Sequence, residues 1–431
     1  MVHSDKARDK ARAFPSGLKL TDLDYLNPKS KLWHYGYGLY SAGQFSSDAP
    51  KACSVKNRVR GATTILGDSG GYQIGIGTMP GTQHIRQEKT ADGVVAAWSE
   101  CGDVRHRVLN WLESMSDYAM TIDMPLWSRT QPNSKSPFRI CSAEQLIEMS
   151  VANLKYIKTY QRGNTKWLNV IQGENAADSK LWWDAVKGYR FGGWALAGGV
   201  GWRGGLDTVL HNILMMRDDG AFTDGQDWLH ILGVSQPTWA VLLTAIQKQL
   251  RKTNPKLRVS YDSASPFQTV GKFHDTVRYP KLTKDLKSWV MSSSELQINP
   301  LYANTNGAYH FPFSSPLGDL LTLDQINVNS GHRGKPTDHI SWLLLINHTL
   351  YVYVRAFLEA NELAFLNPND AQRCVPPEIL DAIDFIEKAF TAKNWKKQIK
   401  DNKSMLDRVF VKITKKAEME SVQGYEAPIV D

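Results

Sequence analysis

The stretch TTILGDSGGYQIG, residues 63–75, decides how the fold is read. An apolar run that is long enough for one buried strand continues into an aspartate, two glycines, a tyrosine and a glutamine. Near-continuous apolar runs of this length are typical of parallel β-strands, because helices cover both faces of a parallel sheet. The stretch therefore predicts a buried parallel strand that ends in polar side chains on a turn loosened by glycine.

The same pattern recurs between this stretch and residue 270. The further apolar runs are YAMTID, KWLNVIQG, GWALAGG, WLHILGV and LRVSYD. Helical segments separate them: SAEQLIEMSVANLKYIKTY starts with a capping box of Ser142 and Gln145, and PTWAVLLTAIQKQLRK has Pro237 in its first turn. DTVLHNILMMR has the same helical spacing. Alternating strands and helices predict an α/β fold with a parallel sheet.

The fold class that we expect is a (β/α)8 TIM barrel with insertions. Such a barrel needs about 250 residues, which a chain of 431 residues provides. The alternative is a doubly wound open sheet, but no GxGxxG turn follows the first strand. In a barrel the loops after the strands converge on one mouth, so polar residues at the strand ends are expected to form one site.

The predicted organisation has three parts. Residues 1–20 form a flexible basic arm, residues 21–366 form the barrel domain with a loop-rich insertion at 270–335, and residues 367–431 form a helical basic extension. A long apolar helix is expected from about Asp338, and the polar residues inside it indicate a buried helix and no membrane span. The segment FLNPNDAQRCVPPE is expected to be a linker before the helix EILDAIDFIEKAF.

Composition and charge indicate a globular protein with a polyanionic partner. The chain is 42% hydrophobic and 22% charged, and its formal net charge is +8. The run NWKKQIKDNKSMLDRVFVKITKK supplies candidate phosphate contacts, and a solvated helix face is an equally open interpretation. Its lysines are Lys396, Lys397, Lys400, Lys403, Lys412, Lys415 and Lys416. Four scattered cysteines and a charged N-terminus without an apolar core favour a reduced, cytoplasmic protein.

The strand ends carry the candidate chemistry. A single aspartate after a strand is usually a helix N-cap, but here three strands end in one. Two carboxylates that face one carbon can displace a glycosidic leaving group, while a glutamine and backbone amides can read the edge of a flat heterocycle. An aromatic ring such as that of Tyr72 can stack on the face of the heterocycle. The strand-end residues are Asp68, Asp123, Gln172, Gly198, Gly199, Gly233 and Asp262.

Several of these segments resemble one known family. DSGGYQ at 68–73 is similar to the signature of the tRNA-guanine transglycosylase superfamily, and four further segments follow in the order of that family. They are VIQGE (170–174), ALAGGVG (195–201), LGVSQP (232–237) and SYDSASP (260–266). The resemblance covers roughly residues 60–270, and it implies a pentosyltransferase on a TIM barrel.

The resemblance also implies a role for each matching residue. Asp262 is expected to be the nucleophile that attacks the sugar C1′ and forms a covalent glycosyl-enzyme. Asp68 is expected to be the general base and acid for the leaving and incoming bases. Asp123 is expected to bind the N1/N2 edge of the base, with the other base-binding positions at Gln172, Gly198, Gly199, Tyr72 and Leu232.

The chain departs from the family in three places. No cysteine lies between Cys141 and Cys374, so the zinc subdomain of the family lacks its ligands and no metal or other cofactor is expected. The histidines His310, His332, His339 and His348 have no metal-like spacing and are expected to be structural. Glu174 replaces a glycine, and PFQTVGK, which ends in the candidate nucleic-acid contact Lys272, replaces a tRNA-gripping segment.

These departures favour the DNA-guanine transglycosylase (DpdA-type) branch, which is often encoded by phages. The first hypothesis is that the protein replaces guanine in DNA with a free 7-deazaguanine such as preQ0 and so protects the DNA from restriction. The partners would be DNA with a flipped guanine and the free base, in the cytoplasm of the host if a phage encodes the protein. The alternatives are the same exchange on tRNA and a non-catalytic nucleic-acid-binding subunit; a homodimer or an accessory protein stays open.

Overall fold

The structure is a computed structural model of the chain. It describes residues 13–43, 45, 53–130, 136–198, 202–223, 225–296, 298, 301–302, 314–328 and 337–410. Most of the expected basic arm therefore lies outside the described residues, as do Gly199, His310, His332, Lys412, Lys415 and Lys416.

In the described part of the chain, seven parallel strands form one sheet in sequence order. They are β1 (Tyr37–Ser41), β2 (Thr64–Asp68), β3 (Tyr118–Met120), β4 (Lys166–Ile171), β5 (Gly193–Leu196), β6 (Trp228–Ile231) and β7 (Arg258–Tyr261). The ring centroids of Tyr118 on β3 and Trp228 on β6 lie 4.1 Å apart, although two strands lie between them. A flat sheet would separate these strands by about 14 Å, so the sheet is strongly curled into a half-barrel.

The parallel α/β architecture is confirmed, but the expected closed barrel of eight strands is not found. The sheet is open, with β1 and β7 as its two edges. After β7 the chain forms β8 (Asp275–Arg278) and β9 (Ser292–Glu295), which pair with each other in antiparallel fashion. Strand β1, YGLYS, was not among the predicted strands, because glycine and two tyrosines interrupt its apolar pattern.

Helices alternate with the strands of the half-barrel as predicted, although the sequence analysis named only three of the eight described helices. The eight are α1 (Gly71–Ile76), α2 (Ala91–Ser99), α3 (Gly102–Met115), α4 (Ala143–Tyr160), α5 (Ala176–Val186), α6 (Gly205–Asp218), α7 (Pro237–Leu250) and α8 (Ser265–Gly271). The predicted capping box is present, since the Gln145 backbone donates to Ser142 Oγ and the Ser142 backbone donates to Gln145 Oε1. Pro237 lies in the first turn of α7, where its missing N–H costs nothing.

The C-terminal part is mainly helical up to Arg408. Its helices are α9 (Leu323–Ile326), α10 (His339–Phe365), α11 (Pro368–Cys374), α12 (Pro377–Thr391), α13 (Trp395–Asp401) and α14 (Lys403–Arg408). The segment expected to be a linker contains α11. Asn367 caps the start of this helix, because its side-chain oxygen accepts a hydrogen bond from the Asp370 backbone N–H. Short 3-10 helices lie at Pro15–Gly17, Leu20–Asp22, Gln83–Gln87, Leu126–Arg129, Pro137–Ile140, Trp202–Gly204, Leu286–Trp289 and Gly318–Leu320.

Helix α10 covers the open edge of the sheet. Its Asn347 donates to the Leu23 carbonyl (2.9 Å) and accepts from Trp33 Nε1 (2.9 Å), in the segment that leads into β1. On the other side, the ring of Phe357 lies 5.8 Å from that of Tyr261 on β7. One helix thus contacts both the segment that precedes β1 and the last strand of the sheet, β7. Neither α10 nor any other described helix is long and apolar enough to cross a membrane.

Two apolar clusters lie on the two faces of the sheet. The larger one packs the helices against the outer face and includes Trp98, Trp111, Trp167, Trp182, Trp183 and Trp194. The smaller one fills the concave inner face with Leu66, Met120, Leu168, Val170, Ala195, Ala197 and Trp228, and Leu39 and Leu232 pack against it. Side chains alternate along a strand, so continuing the inner set by two residues leads from Leu66 to Asp68 and from Val170 to Gln172. The polar residues therefore lie at the carboxyl side of this inner apolar cluster, which is called the apolar plug below.

Candidate functional site

The predicted carboxylates lie together at the carboxyl ends of the strands. Asp68 is the last residue of β2, Asp123 follows β3 by three residues, and Asp262 comes directly after β7. The charge of Asp262 acts on Asp68, and the charge of Asp68 acts on Asp123. Residues that are almost 200 positions apart in the chain thus share one electrostatic environment.

Burial raises the pKa of the Asp68 carboxyl above its usual range. The Ser41 hydroxyl and the Gly70 backbone N–H, 3.2 Å from Oδ1, act in the opposite direction by stabilising the charged form, and the negative charge of Asp262 raises the pKa further. A carboxyl group with a raised pKa is better suited to giving a proton as well as taking one than a carboxyl group in water is. Ser41, at the end of the unpredicted strand β1, was missed by the sequence reasoning.

Both hydrogen-bond contacts of the Asp262 side chain are made by one carboxylate oxygen. Its Oδ1 accepts from the Gly233 backbone N–H (3.0 Å) and lies 3.2 Å from Nε2 of His230. No described group makes a hydrogen bond to Oδ2. His230 was not singled out from the sequence, although its place in WLHILGV, two residues before Leu232, puts it on the inner face.

Asp123 and Gln172 form a buried pair. Gln172 Nε2 donates to Asp123 Oδ2 at 2.6 Å, and the two residues are only 2% and 5% exposed, respectively. Burial raises the pKa of Asp123 to about 7; the hydrogen bond from Gln172 partly offsets this effect, and the charge of Asp68 adds to it. Gln172 Oε1 is buried and has no hydrogen-bond partner among the described residues. An unpaired buried acceptor costs about 1–3 kcal/mol, which a ligand with an N–H donor would recover.

The glycines of DSGG allow close approaches that any side chain would block. Gly70 has φ +95°, and a Cβ there would lie 2.4 Å from the Gly43 Cα atom. A Cβ at Gly71 would lie 2.7 Å from Asp123 Oδ1. The two glycines therefore let the turn after β2 bend between Gly43 and the Asp123 carboxyl group.

An aromatic wall borders the carboxylates. The half-buried Tyr72 ring on α1 lies 5.7 Å from the ring of Trp127, at an interplanar angle of 33°. A Cβ at Gly198, which has φ +62°, would lie 3.4 Å from Trp127 Cδ1 and 2.9 Å from Gln172 Oε1. Trp127 follows Asp123 in TIDMPLW and was missed by the sequence reasoning, although an aromatic residue so close to a strand-end aspartate was a usable signal. Leu232 lies half-buried at the edge of the inner apolar cluster.

The lysines are not part of this cluster. Lys396, Lys397 and Lys400 are exposed on α13, which is anchored where Trp395 Nε1 donates to Asp218 Oδ2 (2.7 Å) at the far end of α6. Lys397 forms an ion pair with Asp401. Lys272 is exposed at the end of α8, with its Nζ 5.6 Å from the Phe273 ring centroid.

No metal site is found within the described ranges. No group of three or more His, Cys, Asp or Glu side chains there is arranged to hold a metal ion. Of the expected structural histidines, His348 is fully buried with Nδ1 2.7 Å from Ser315 Oγ, and the His339 ring packs against Trp342.

Fold and site define a mixed α/β protein whose curled parallel sheet brings three aspartates and a glutamine together at its carboxyl end. Comparison with known protein families finds no family that matches this chain, and comparison with curated proteins finds no similar one.

Proposed function

We propose that the protein is a DNA-guanine transglycosylase that replaces guanine with a 7-deazaguanine such as preQ0. The single observation that carries the proposal is that Asp68, at the end of β2, and Asp262, directly after β7, lie at the same carboxyl end of the curled sheet, where burial and, to a lesser degree, the charge of Asp262 raise the pKa of Asp68. Glycosyl transfer with retention needs two carboxyl groups with different roles, one as the nucleophile and one as the proton carrier. The resemblance of DSGGYQ and SYDSASP to the transglycosylase superfamily supports the same division.

On this proposal, the half-barrel is a TIM-type barrel in which α10 takes the place of the eighth strand. The active site of such a barrel lies at the carboxyl ends of its strands, which is where the carboxylates gather. The apolar plug below them excludes water from the side of the site that faces the sheet.

Base recognition is assigned to the Asp123–Gln172 pair. The Asp123 carboxylate accepts from N1–H and N2–H of guanine, and the second N–H of Gln172 Nε2 points to O6. The backbone at Gly198 is assigned to the substituted side of a deazaguanine, and Tyr72 and Leu232 are assigned to its two faces. This assignment uses two polar side chains that are buried at the strand ends and bonded to each other.

The reaction proceeds in two displacements on a flipped nucleotide. Asp262 attacks C1′, the bond from C1′ to the guanine N9 breaks, and Asp68 protonates the departing base. A free 7-deazaguanine then loses a proton to Asp68, its ring nitrogen attacks C1′, and the bond to Asp262 breaks. Two inversions retain the configuration. Carbon at position 7 removes a protonation site that helps guanine leave, so the exchange runs in one direction.

The proposal predicts that purified protein incorporates a labelled base into DNA. The measurement is incorporation of labelled guanine into duplex DNA and, in parallel, into tRNA. The matched control is Asp262→Asn, which keeps the size of the side chain and its acceptor oxygen but removes the nucleophilic charge. We expect label in DNA with the natural protein and a loss of at least about 1,000-fold with the variant.

The same assay separates the other functions. Incorporation into tRNA alone would make the protein a tRNA enzyme. Binding of DNA or tRNA without incorporation, in the presence of either guanine or preQ0, would make it a non-catalytic subunit, and the retention of Asp68, Asp123 and Asp262 argues against that outcome.

A further inference from the structure

We infer that His230 is a positioning residue that holds Asp262 through Oδ1, leaves Oδ2 as the attacking atom, and promotes the later departure of Asp262 from the sugar. The part of this inference that concerns the sugar rests on the proposed transglycosylase function. The hydrogen bonds that position Asp262 are observed in the structure and do not depend on that function.

A chain of hydrogen bonds joins four side chains on the inner face of the sheet, at β6 and β7. Trp228 Nε1 donates to Ser260 Oγ at 2.7 Å, and Ser260 Oγ lies 2.8 Å from His230 Nδ1. His230 Nε2 lies 3.2 Å from Asp262 Oδ1. The parallel register places His230 beside Ser260, so the chain is built into the strand pairing. His230 is 1% exposed, so water does not compete for its ring nitrogens.

The chemistry of the end groups sets the position of every proton. The indole nitrogen of Trp228 is only a donor, so Ser260 Oγ accepts from it. The hydroxyl proton of Ser260 is then available to His230 Nδ1, and this leaves the ring proton on Nε2. An ionised Asp262 is only an acceptor and takes that proton in a hydrogen bond. The opposite tautomer would place the lone pair of Nε2 against the carboxylate oxygen.

Both donors to Asp262 converge on one oxygen. Gly233 N–H (3.0 Å) and His230 Nε2–H both point to Oδ1, and within the described residues no group bonds to Oδ2. The free lone pairs are therefore on Oδ2, and the bond to C1′ forms there. When the incoming base attacks C1′, the bond from C1′ to Oδ2 breaks and its electron pair returns to the carboxylate. The charge is then shared with Oδ1, where the two donors stabilise it. His230 keeps its own proton throughout, because Asp68 handles the protons of the bases.

The test compares two substitutions that differ in one donor. His230→Gln keeps an N–H near the position of Nε2, and His230→Leu removes it at similar volume. Removing the donor favours the ester over the free carboxylate, so His230→Leu should raise the ratio of covalent adduct to free enzyme about 10- to 100-fold. Mass spectrometry of acid-quenched reactions with a DNA substrate measures that ratio, and labelled-base incorporation measures the exchange, which should fall. His230→Gln should restore most of both values.

A merely structural role for His230 gives a different result. Loss of packing would lower the adduct and the exchange together, whereas loss of the donor lowers the exchange and raises the adduct. The matched control is His106→Leu, an exposed histidine on α3, which should behave as the natural protein does.

A measurement on the natural protein tests the hydrogen-bond chain independently of base exchange. Long-range ¹H–¹⁵N NMR of histidine-labelled protein, with His230→Gln used for assignment, should show the Nε2–H tautomer. The Nδ1–H tautomer would overturn the inference whether or not bases are exchanged, and it stays decisive if His230→Leu does not fold. Unchanged exchange and adduct in His230→Leu would overturn the inference and leave the proposed function intact. Absence of base exchange on both DNA and tRNA would overturn the proposed function. The tautomer of His230 would still show whether the hydrogen bonds from Trp228 to Asp262 run as inferred.

Discussion

At the scale of single residues, the site keeps side chains that the fold would be more stable without. Asp123 is buried beside another carboxyl group, and its pKa is raised from 3.8 to about 7. In the same place, no described residue makes a hydrogen bond to the buried Oε1 of Gln172. Destabilising groups of this kind collect at functional sites, because a ligand completes their interactions.

Asp123 predicts a dependence of stability on pH. Between pH 3.8 and about 7 the folded protein binds one more proton at Asp123 than the unfolded chain, so the contribution of this group to stability falls as the pH rises through that range. Asp123→Asn, which is always neutral, should therefore raise the free energy of unfolding at pH 8 by about 1–4 kcal/mol. Urea unfolding at pH 5 and pH 8 measures it.

The difference between the two proteins should shrink toward pH 5, where Asp123 is already protonated. An Asn variant that is equally or less stable at pH 8 would contradict the raised pKa. On the proposed function, the same variant should also lose most of its affinity for guanine, because an amide cannot accept two N–H groups as a carboxylate does.

At the scale of elements, α10 links the two edges of the open sheet. Hydrogen bonding between β7 and β1 would close a barrel; instead, Asn347 ties α10 to the segment before β1, and Phe357 packs on β7. The Asn347 side chain is buried, so its bond to the Leu23 carbonyl is stronger than an exposed contact would be.

Asn347→Leu should destabilise the protein by about 2–4 kcal/mol, because it leaves both the Leu23 carbonyl and the Trp33 indole N–H without a partner. The measurement is urea unfolding followed by far-UV circular dichroism. The matched control is Asn361→Leu on the same helix, whose side chain donates only to the Phe357 carbonyl within α10. A control loss as large as that of Asn347→Leu would mean that the contacts of Asn347 with Leu23 and Trp33 do not set the cost.

At the scale of the whole molecule, the C-terminal helices run along the outside of the half-barrel toward the site. Trp395 contacts Asp218 at the far end of α6, and Lys403 forms an ion pair with Asp207 near its start. The described chain ends where the Phe410 ring stacks on Trp239 at 4.8 Å, in the first turn of α7. Both α6 and α7 begin at the carboxyl side of the sheet, so the described part of the extension runs from the far end of α6 to the carboxyl side of the sheet.

Replacing Lys396, Lys397 and Lys400 with glutamine should weaken DNA binding and make it less dependent on salt. Each lost phosphate contact lowers the slope of log K against log salt by about 0.9, so we expect a change of up to about 3 units. Fluorescence anisotropy with labelled duplex DNA over a range of salt concentrations measures the slope.

The matched control replaces Lys155, Lys158 and Lys180, three exposed lysines on α4 and α5. It removes the same charge, and Lys180 is paired with Asp184 as Lys397 is paired with Asp401. Equal slopes in the two triple variants would mean that net charge alone acts and that α13 does not contact DNA.

Local rules of the chain were enough to predict six strands and the main helices. Apolar runs that end in polar residues specify parallel strands, and side-chain alternation specifies which residues face inward, so Asp68, Gln172 and Asp262 were identifiable before any coordinates. Ser142 and Pro237 fix helix starts through contacts within one turn, which is why those boundaries were predicted correctly.

The tertiary structure alone decided how the sheet ends and how the site is charged. The open edge beside α10, the raised pKa of Asp123 and the link from Trp228 through His230 to Asp262 all depend on groups brought together from distant parts of the chain. Burial and Coulomb interactions depend on distance in space, and distance in space follows from the sequence only once the strands have curled around a common interior.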